Sequence, residues 1–163
     1  MQTLPLLRNI SSRGRGFHGG FTGSCLCGKV VVRIAPNSEP THDPAYCHCN
    51  TCRKYHSAPF ALEAGWPLSS FEMTGDTVSY VKPESNTRKK LFERRRCAVC
   101  GTACGGVHHG LKAAFIPTTI LAKPGEKLPE VLVPKLHLFY SRRIVGDLFE
   151  DDGLPKFEEF PPP

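Results

Sequence analysis

Apolar and polar residues alternate over short stretches of this chain, and no apolar run is long enough to span a bilayer. The β-branched segment Lys29–Ile34 predicts a strand, and Val78–Val81 and Leu91–Arg95 predict two more around the polar loop 82–90. Three further segments have a similar character: Ala113–Ile116, Thr118–Leu121 and Leu136–Tyr140. Fifteen glycines and fifteen prolines divide the chain into short pieces, which favours strands and loops over long helices.

Residues 50–56 carry the one helix that the pattern predicts. Asn50 can cap a helix running to His56, because its side chain accepts hydrogen bonds from the first free N–H groups. This helix would hold Cys52 on its first turn, and Pro59 would stop it. The patterns together predict a mainly β fold of short antiparallel sheets with few short helices.

The chain of 163 residues is long enough for one domain with a substantial core. Residues 1–20 are expected to be a flexible tail before a single domain at 21–163, since they hold serines, glycines and three arginines but no acid. Mitochondrial presequences share that composition. An ordinary flexible N-terminus has the same composition and is the favoured interpretation, so the expected location is the cytoplasm, with the mitochondrial matrix as the alternative. The sequence predicts no oligomeric state.

Eight cysteines fall into three tight clusters. The first is Cys25 and Cys27, the second is Cys47, Cys49 and Cys52, and the third is Cys97 and Cys100, with Cys104 just beyond. Thiolates one or two residues apart can bind one ion, since a tetrahedral zinc holds its sulfurs about 2.3 Å away. Three clusters exceed the needs of one ion and predict two sites. A site with only three cysteines leaves a fourth position open, which is typical of catalytic zinc.

Two other interpretations of the cysteines compete with metal binding. A disulfide framework is disfavoured, because neighbouring cysteines do not readily bond each other and Met1–Ile10 lacks the features of a secretory signal. A thioredoxin-like redox motif would need one Cys-x-x-Cys pair rather than three clusters. Metal binding is the interpretation that the spacing favours.

Three segments, Gly23–Gly28, Cys47–Lys54 and Cys97–Thr102, together resemble the glutathione-dependent formaldehyde-activating enzyme family. Ala58-Pro59-Phe60, Trp66 and the closing segment Gly153–Phe157 are lesser matches. The resemblance covers about residues 21–160 and implies a mainly β, tent-like arrangement of sheets.

The resemblance also implies two zinc ions and a reaction. It implies a structural zinc on the residues Cys25, Cys27, Cys97 and Cys100, and a catalytic zinc on Cys47, Cys49 and Cys52. The reaction implied is that of a carbon–sulfur lyase or synthase, which joins formaldehyde to glutathione as S-hydroxymethylglutathione. Glutathione would be the co-substrate, and an aldehyde the second substrate.

Glutathione carries two carboxylates, so its site needs cations. Arg53 and Lys54 follow the second cluster directly and are the leading candidates, because arginine can hold a carboxylate with two hydrogen bonds. Arg88–Lys90 and Arg94–Arg96 lie near the third cluster. The formal net charge of +6 falls to about +3 once two zinc ions add four positive charges and seven bound thiolates add seven negative ones. This mildly basic balance suits a small anionic substrate and indicates nucleic acid only weakly.

Several other residues have two interpretations each. His48 can transfer a proton or turn away from the metal, and His56 can donate to the substrate or simply end the helix. Cys104 is either a buried thiol or a fourth ligand of the second zinc. His108 and His109 are either loop residues or a source of that ligand.

Tyr55-His56-Ser57 stands where the family usually has Ser-Gly or Thr-Gly, so the substrate can differ from formaldehyde. One alternative is therefore the same thiol site acting on a larger electrophile or a secondary metabolite. The other is a non-catalytic module stapled by zinc, because the resemblance extends to centromere protein V, which acts through binding. Arg94–Arg96 and the arginines of the tail favour that second alternative.

Overall fold

The computed structural model describes residues 19–82 and 92–161. Within these ranges the protein is mainly β, with eleven strands in two sheets and two short helices, which confirms the predicted fold class. The predicted tail, apart from its last two residues, lies outside the described residues, as do Leu91 and most of the loop 82–90. None of the described helices is long and apolar enough to cross a membrane.

The small sheet has three antiparallel strands: β1 (Phe21–Ser24), β2 (Val31–Ile34) and β5 (Phe71–Thr74). β2 lies in the middle and pairs with both neighbours. A tight turn joins β1 to β2, and the N–H of Cys25 donates to the carbonyl of Val30 across it at 2.9 Å. The first cysteine cluster therefore lies at one end of the small sheet.

The large sheet has eight strands: β3 (His42–Cys47), β4 (Ala61–Pro67), β6 (Thr77–Val81), β7 (Phe92–Cys97), β8 (Ala103–His108), β9 (Ala113–Pro117), β10 (Leu136–Leu138) and β11 (Lys156–Phe157). Their order across the sheet is β11, β10, β3, β4, β9, β8, β7, β6. β10 runs parallel to both of its neighbours, whereas the other pairs are antiparallel. β3 and β7 each end in a cysteine, so the sheet delivers the second and third clusters.

The main hydrophobic core joins the two sheets. From the sheets it contains the buried residues Val32, Ile34, Ala64, Trp66, Ala114 and Ile116, and two leucines from helical turns, Leu121 and Leu132, complete it. Trp66 is completely buried, and its ring centroid lies 5.7 Å from that of Phe21. Burying a large aromatic side chain contributes on the order of 2 kcal/mol relative to leaving it exposed. This core fixes the sheets against each other.

The prediction of a strand at Thr118–Leu121 is wrong, because these residues form the short helix α2. Pro117 precedes the first turn, and Thr118 and Leu121 turn the same face into the core. The turn also packs closely on β1: a Cβ atom at Gly23 would lie 1.9 Å from the carbonyl oxygen of Ile120. A β-branched apolar composition suits a buried helical turn as well as a strand.

The other predicted elements are found with small shifts. Helix α1 spans Asn50–His56 as predicted, but its N-cap is Cys49, whose sulfur accepts the N–H of Cys52 at 3.3 Å. The strand predicted at Leu136–Tyr140 ends at Leu138, because Phe139 adopts a left-handed conformation with φ of 55°. A 3₁₀ turn over Tyr140–Arg142 follows.

Candidate functional site

Four cysteines from distant segments form one group, the four-cysteine group. Cys25 and Cys27 lie in the turn after β1, and Cys97 and Cys100 lie at the end of β7 and just beyond it. Their sulfur atoms all lie within 4.8 Å of one another. The Sγ atoms of Cys25 and Cys27 are 3.5 Å apart, and those of Cys27 and Cys97 are 3.7 Å apart.

The sulfur separations in this group suit a tetrahedral zinc ion. Sulfurs about 2.3 Å from such an ion lie about 3.8 Å from one another, close to the observed separations. A backbone N–H group also stabilises the thiolate form of Cys25, because Val30 N donates to Cys25 Sγ at 3.2 Å. In the second pair, Cys100 N donates to Cys97 Sγ at 3.5 Å. A hydrogen bond with the Thr102 hydroxyl lowers the pKa of Cys100 to about 5.

A second group, the triad, consists of Cys47, Cys49 and Cys52. β3 ends at Cys47, and α1 begins beside Cys49, so the chain folds back on itself within six residues. The three sulfurs lie within 4.8 Å of one another, and only Cys49 is partly exposed. A tetrahedral ion on these three sulfurs keeps one position open.

The triad concentrates negative charge on one sulfur. Hydrogen bonds with Cys47 and Cys52 lower the pKa of Cys49 to about 2, and the hydrogen bond with Cys49 raises the pKa of Cys47. Hydrogen bonds with the other two thiols also raise the pKa of Cys52. The three sulfurs are soft donors, and one of them is already a thiolate. Such a set suits a zinc ion, whose binding releases the protons of the other two thiols.

Glu63 is a buried carboxylate beside the triad that the sequence reasoning did not identify. Its Oε2 lies 3.8 Å from Cys52 Sγ, and its Oε1 lies 3.0 Å from His56 Nε2. β4 presents Glu63 to the triad because β4 pairs with β3, where Cys47 lies opposite Ala61. The sequence signal for it was overlooked: Glu63 is an acid within the otherwise apolar segment 61–67, and a buried acid in such a segment needs a partner.

The triad opens onto a cavity of about 970 Å³. The described residues that line it include all three cysteines and Glu63, together with two arginines, Arg94 and Arg142. Four phenylalanines form one side, here called the aromatic wall: Phe92, Phe115, Phe139 and Phe160. The volume is at the upper end of the range for small-molecule sites.

Arg94 and Arg142 lie at the two ends of the aromatic wall. The guanidinium of Arg94 is 4.1 Å from the ring centroid of Phe92, and that of Arg142 is 5.0 Å from that of Phe139. Arg94 is only 8% exposed. The aromatic face stabilises the Arg94 cation where water is scarce, whereas Arg142 is exposed. Both guanidinium groups line the cavity and can bind anionic groups of a ligand.

Arg53 and Lys54, the predicted carboxylate-binding residues, do not line the cavity among the described residues. Arg53 donates from Nε to the carbonyl of His48 at 3.0 Å and from a terminal nitrogen to Asn50 Oδ1 at 2.8 Å. These two hydrogen bonds therefore stabilise the start of α1. The predicted role of Arg53 and Lys54 stays a prediction.

His48 lies between two triad cysteines, but its side chain enters a buried hydrogen-bond chain. His48 Nε2 is 2.9 Å from His137 Nδ1, and His137 Nε2 is 2.6 Å from Asp152 Oδ2. Both histidines are fully buried, and burial lowers the pKa of His48 to about 4. These hydrogen bonds support the triad on the side away from the cavity.

The remaining candidates lie outside the triad. Cys104 is fully buried beside the four-cysteine group, and burial raises its pKa to about 11. His109 Nε2 lies 3.7 Å from Glu93 Oε2, and His108 lines the cavity beside Phe92 and Phe115. None of these three belongs to either cysteine group among the described residues.

The run Arg94–Arg96 does not form a continuous exposed face. Arg94 is buried, Arg95 donates to Glu93 at 3.0 Å, and Arg96 lies 4.5 Å from the Tyr55 ring centroid. Arg88–Lys90 lie outside the described residues. This run of arginines therefore does not by itself form a basic patch of the kind that binds nucleic acid.

The fold and the two cysteine groups define a mainly β protein with two sites suited to zinc. The model of the glutathione-dependent formaldehyde-activating enzyme family matches residues 20–142. Since this match covers most of the chain, the protein belongs to that family. Membership indicates chemistry on adducts of glutathione and formaldehyde.

Among solved structures, the fold is similar to that of a Rhodobacter sphaeroides protein from a structural genomics crystal structure. The TM-score is 0.51 at 16% sequence identity, and the match covers 83% of this chain and 98% of that chain. At this identity the likeness concerns the fold alone. No curated protein matches the chain.

Proposed function

We propose that this protein is a zinc-dependent carbon–sulfur lyase and synthase acting on adducts of glutathione with an aldehyde. The observation that carries the proposal is the triad, whose three sulfurs lie within 4.8 Å of one another at the edge of a large cavity. Family membership supports glutathione as the thiol and formaldehyde as a carbonyl partner.

Cys47, Cys49 and Cys52 would hold the catalytic zinc. When bound, that ion offers a thiol an open position and deprotonates it, and a thiolate is the nucleophilic form. The three thiolates outweigh the charge of the ion, so the site favours positioning a thiol over strongly polarising a carbonyl.

In the synthase direction the glutathione sulfur forms a bond to the carbonyl carbon. The π electron pair of the carbonyl moves to its oxygen, and the proton that the thiol released ends there. The lyase direction reverses each step, and neither direction needs an oxidant or a reductant.

Glu63 is the group suited to move that proton. Its carboxylate lies at the triad and lines the cavity, so it can accept the thiol proton and return it to the new alkoxide. His56, predicted from the sequence as catalytic, bonds to the other oxygen of Glu63 at 3.0 Å. His56 would therefore act through Glu63 as a positioning residue.

The two carboxylates of glutathione need two cations. Arg94 and Arg142 line the cavity and lie at opposite ends of the aromatic wall. Each can hold a carboxylate with two parallel hydrogen bonds. We assign these arginines to the peptide ends of glutathione.

The four-cysteine group would hold the structural zinc. Its ligands come from the turn after β1 in the small sheet and from the end of β7 in the large sheet. An ion bound there joins the two sheets, and such binding is worth on the order of 10 kcal/mol in small domains.

The test is the rate of S-hydroxymethylglutathione formation, measured by NMR exchange with Cys49→Ser and the zinc-loaded parent. Loss of one triad ligand should lower the rate roughly 100-fold or more, since even an outer-sphere change costs up to about 100-fold. Circular dichroism should stay unchanged, and one zinc should remain. Cys104→Ser is the matched control, because a serine hydroxyl can keep the bond to the carbonyl of Thr102.

Two outcomes would contradict the proposal. An active Cys49→Ser variant would remove the triad from the reaction. An unfolded one would show that the triad, like the four-cysteine group, is needed for the fold.

A further inference from the structure

The aromatic wall gives the cavity a larger apolar surface than the addition of glutathione to formaldehyde requires. Its rings form a continuous series: the centroids of Phe92 and Phe115 are 5.7 Å apart, those of Phe115 and Phe160 6.4 Å, and those of Phe160 and Phe139 5.9 Å. Leu136 and Leu138 extend the apolar lining. The cavity thus has a large apolar side next to its cations.

The wall reaches the triad through Phe139. This residue packs against the hydrophobic cluster that contains Cys47 and Cys52. Its backbone is left-handed, with φ of 55° and ψ of 44°, a conformation that is unfavourable for a bulky residue. The end of β10 therefore holds this ring beside the triad at a cost in backbone strain.

The two reactants of the proposed function, glutathione and formaldehyde, have no group that would pack against this apolar surface. Formaldehyde has no carbon substituent that could touch a ring. Glutathione is a polar peptide whose carboxylates match Arg94 and Arg142 rather than phenylalanine. Phe160 is 45% exposed, so an apolar group placed against the wall would remove ring surface from water, which is favourable.

We infer that the wall binds an aromatic or long aliphatic substituent on the carbonyl partner, so that the protein acts on glutathione adducts of bulky apolar aldehydes. The inference rests on the proposed function and specifies the substrate class of the same site. The bond changes are those described above: the sulfur bonds to the carbonyl carbon, and the thiol proton ends on the oxygen. The substituent contacts the wall without reacting.

The experiment compares formaldehyde with phenylacetaldehyde as partners of glutathione, using the zinc-loaded full chain. The parent protein should have the higher kcat/KM for phenylacetaldehyde. Phe139→Ala should lower the ratio of the two kcat/KM values about 10- to 100-fold, the effect expected for losing one buried ring contact. Phe160→Ala, at the exposed rim, should lower it about 3- to 10-fold and keeps the test valid if Phe139→Ala does not fold.

Tyr80→Ala is the matched control, because Tyr80 is an exposed aromatic residue on β6 that does not line the cavity. It should leave the ratio unchanged. Formaldehyde turnover with a lower kcat/KM for phenylacetaldehyde, or an unchanged ratio in both phenylalanine variants, would overturn the inference and leave the proposed function standing. Turnover of neither aldehyde would overturn both.

Discussion

At the scale of single residues, Asp152 supports the triad from behind through two buried histidines. Its carboxylate accepts from His137 at 2.6 Å and from Lys156 at 2.9 Å. A carboxylate can only accept, so His137 donates from Nε2 to Asp152, and the other ring nitrogen of His137, Nδ1, lies 2.9 Å from His48 Nε2. Asp152 thereby orients the His137 ring, which in turn holds His48 between Cys47 and Cys49.

Asp152→Asn should lower the free energy of unfolding by about 1–2 kcal/mol, because it replaces charge-assisted hydrogen bonds with neutral ones. Burial acts to raise the pKa of Asp152, but hydrogen bonds with Lys156 and His137 lower it to about 2. A lowered carboxyl pKa stabilises the fold above the ordinary value of 3.8, and the contribution is lost as the pH falls toward 2. Urea denaturation at neutral pH therefore measures the full effect.

Asp43→Asn is the matched control, since Asp43 pairs with Lys135 at 2.9 Å but both side chains are about half exposed. It should change the free energy of unfolding by less than about 0.5 kcal/mol. Equal losses in the two variants would show that the buried chain adds nothing beyond a surface ion pair.

The sequence identified the two cysteine groups better than the residues around them. Close spacing brings Cys47, Cys49 and Cys52 together whatever the rest of the chain does, so their grouping could be predicted. Glu63 and Phe139 reach the triad only because β4 and β10 pair with β3 on either side. The spacing of residues along the chain does not show which strands pair, so the positions of Glu63 and Phe139 could not be predicted.

At the scale of elements, helix α1 positions two triad residues and ends in a strained residue. Ser57, its C-cap, has a left-handed backbone with φ of 52°, and its N–H donates to the carbonyl of Arg53. Glycine adopts this conformation without steric cost and is the common residue at such positions. The serine therefore lowers the stability of the helix end.

Ser57→Gly should raise the free energy of unfolding by about 0.5–1 kcal/mol, as the relief of strain exceeds the added flexibility of the unfolded chain. Lys54→Gly is the matched control inside the same helix and should lower it by about 1 kcal/mol. Chemical denaturation of both variants measures the difference. A destabilised Ser57→Gly would show that the serine side chain supports the helix end.

Element prediction succeeded where local chemistry determined the structure. The Asn50 cap and the stop at Pro59 were enough to predict the extent of α1, although its N-cap is Cys49. Short β-branched segments were enough for several strands. It failed at Thr118–Leu121, where packing on β1 favours a helical turn. It also extended β10 by two residues, because only the tertiary structure forces Phe139 out of the strand.

At the scale of the whole molecule, the two cysteine groups have different surroundings. The four-cysteine group draws its ligands from both sheets and contains two buried and two more exposed cysteines. The triad comes from six consecutive residues of one segment and faces a cavity. A site that joins distant segments suits a structural ion, and a compact site beside a cavity suits a reacting one.

The central claim is that the triad zinc binds a thiol substrate. Calorimetric titration of glutathione into the zinc-loaded protein tests it most directly, with Cys49→Ser as the comparison. The account predicts saturable binding by the parent protein that is lost in folded Cys49→Ser. Equal binding by both proteins, or no binding by the folded, zinc-loaded parent, would contradict it.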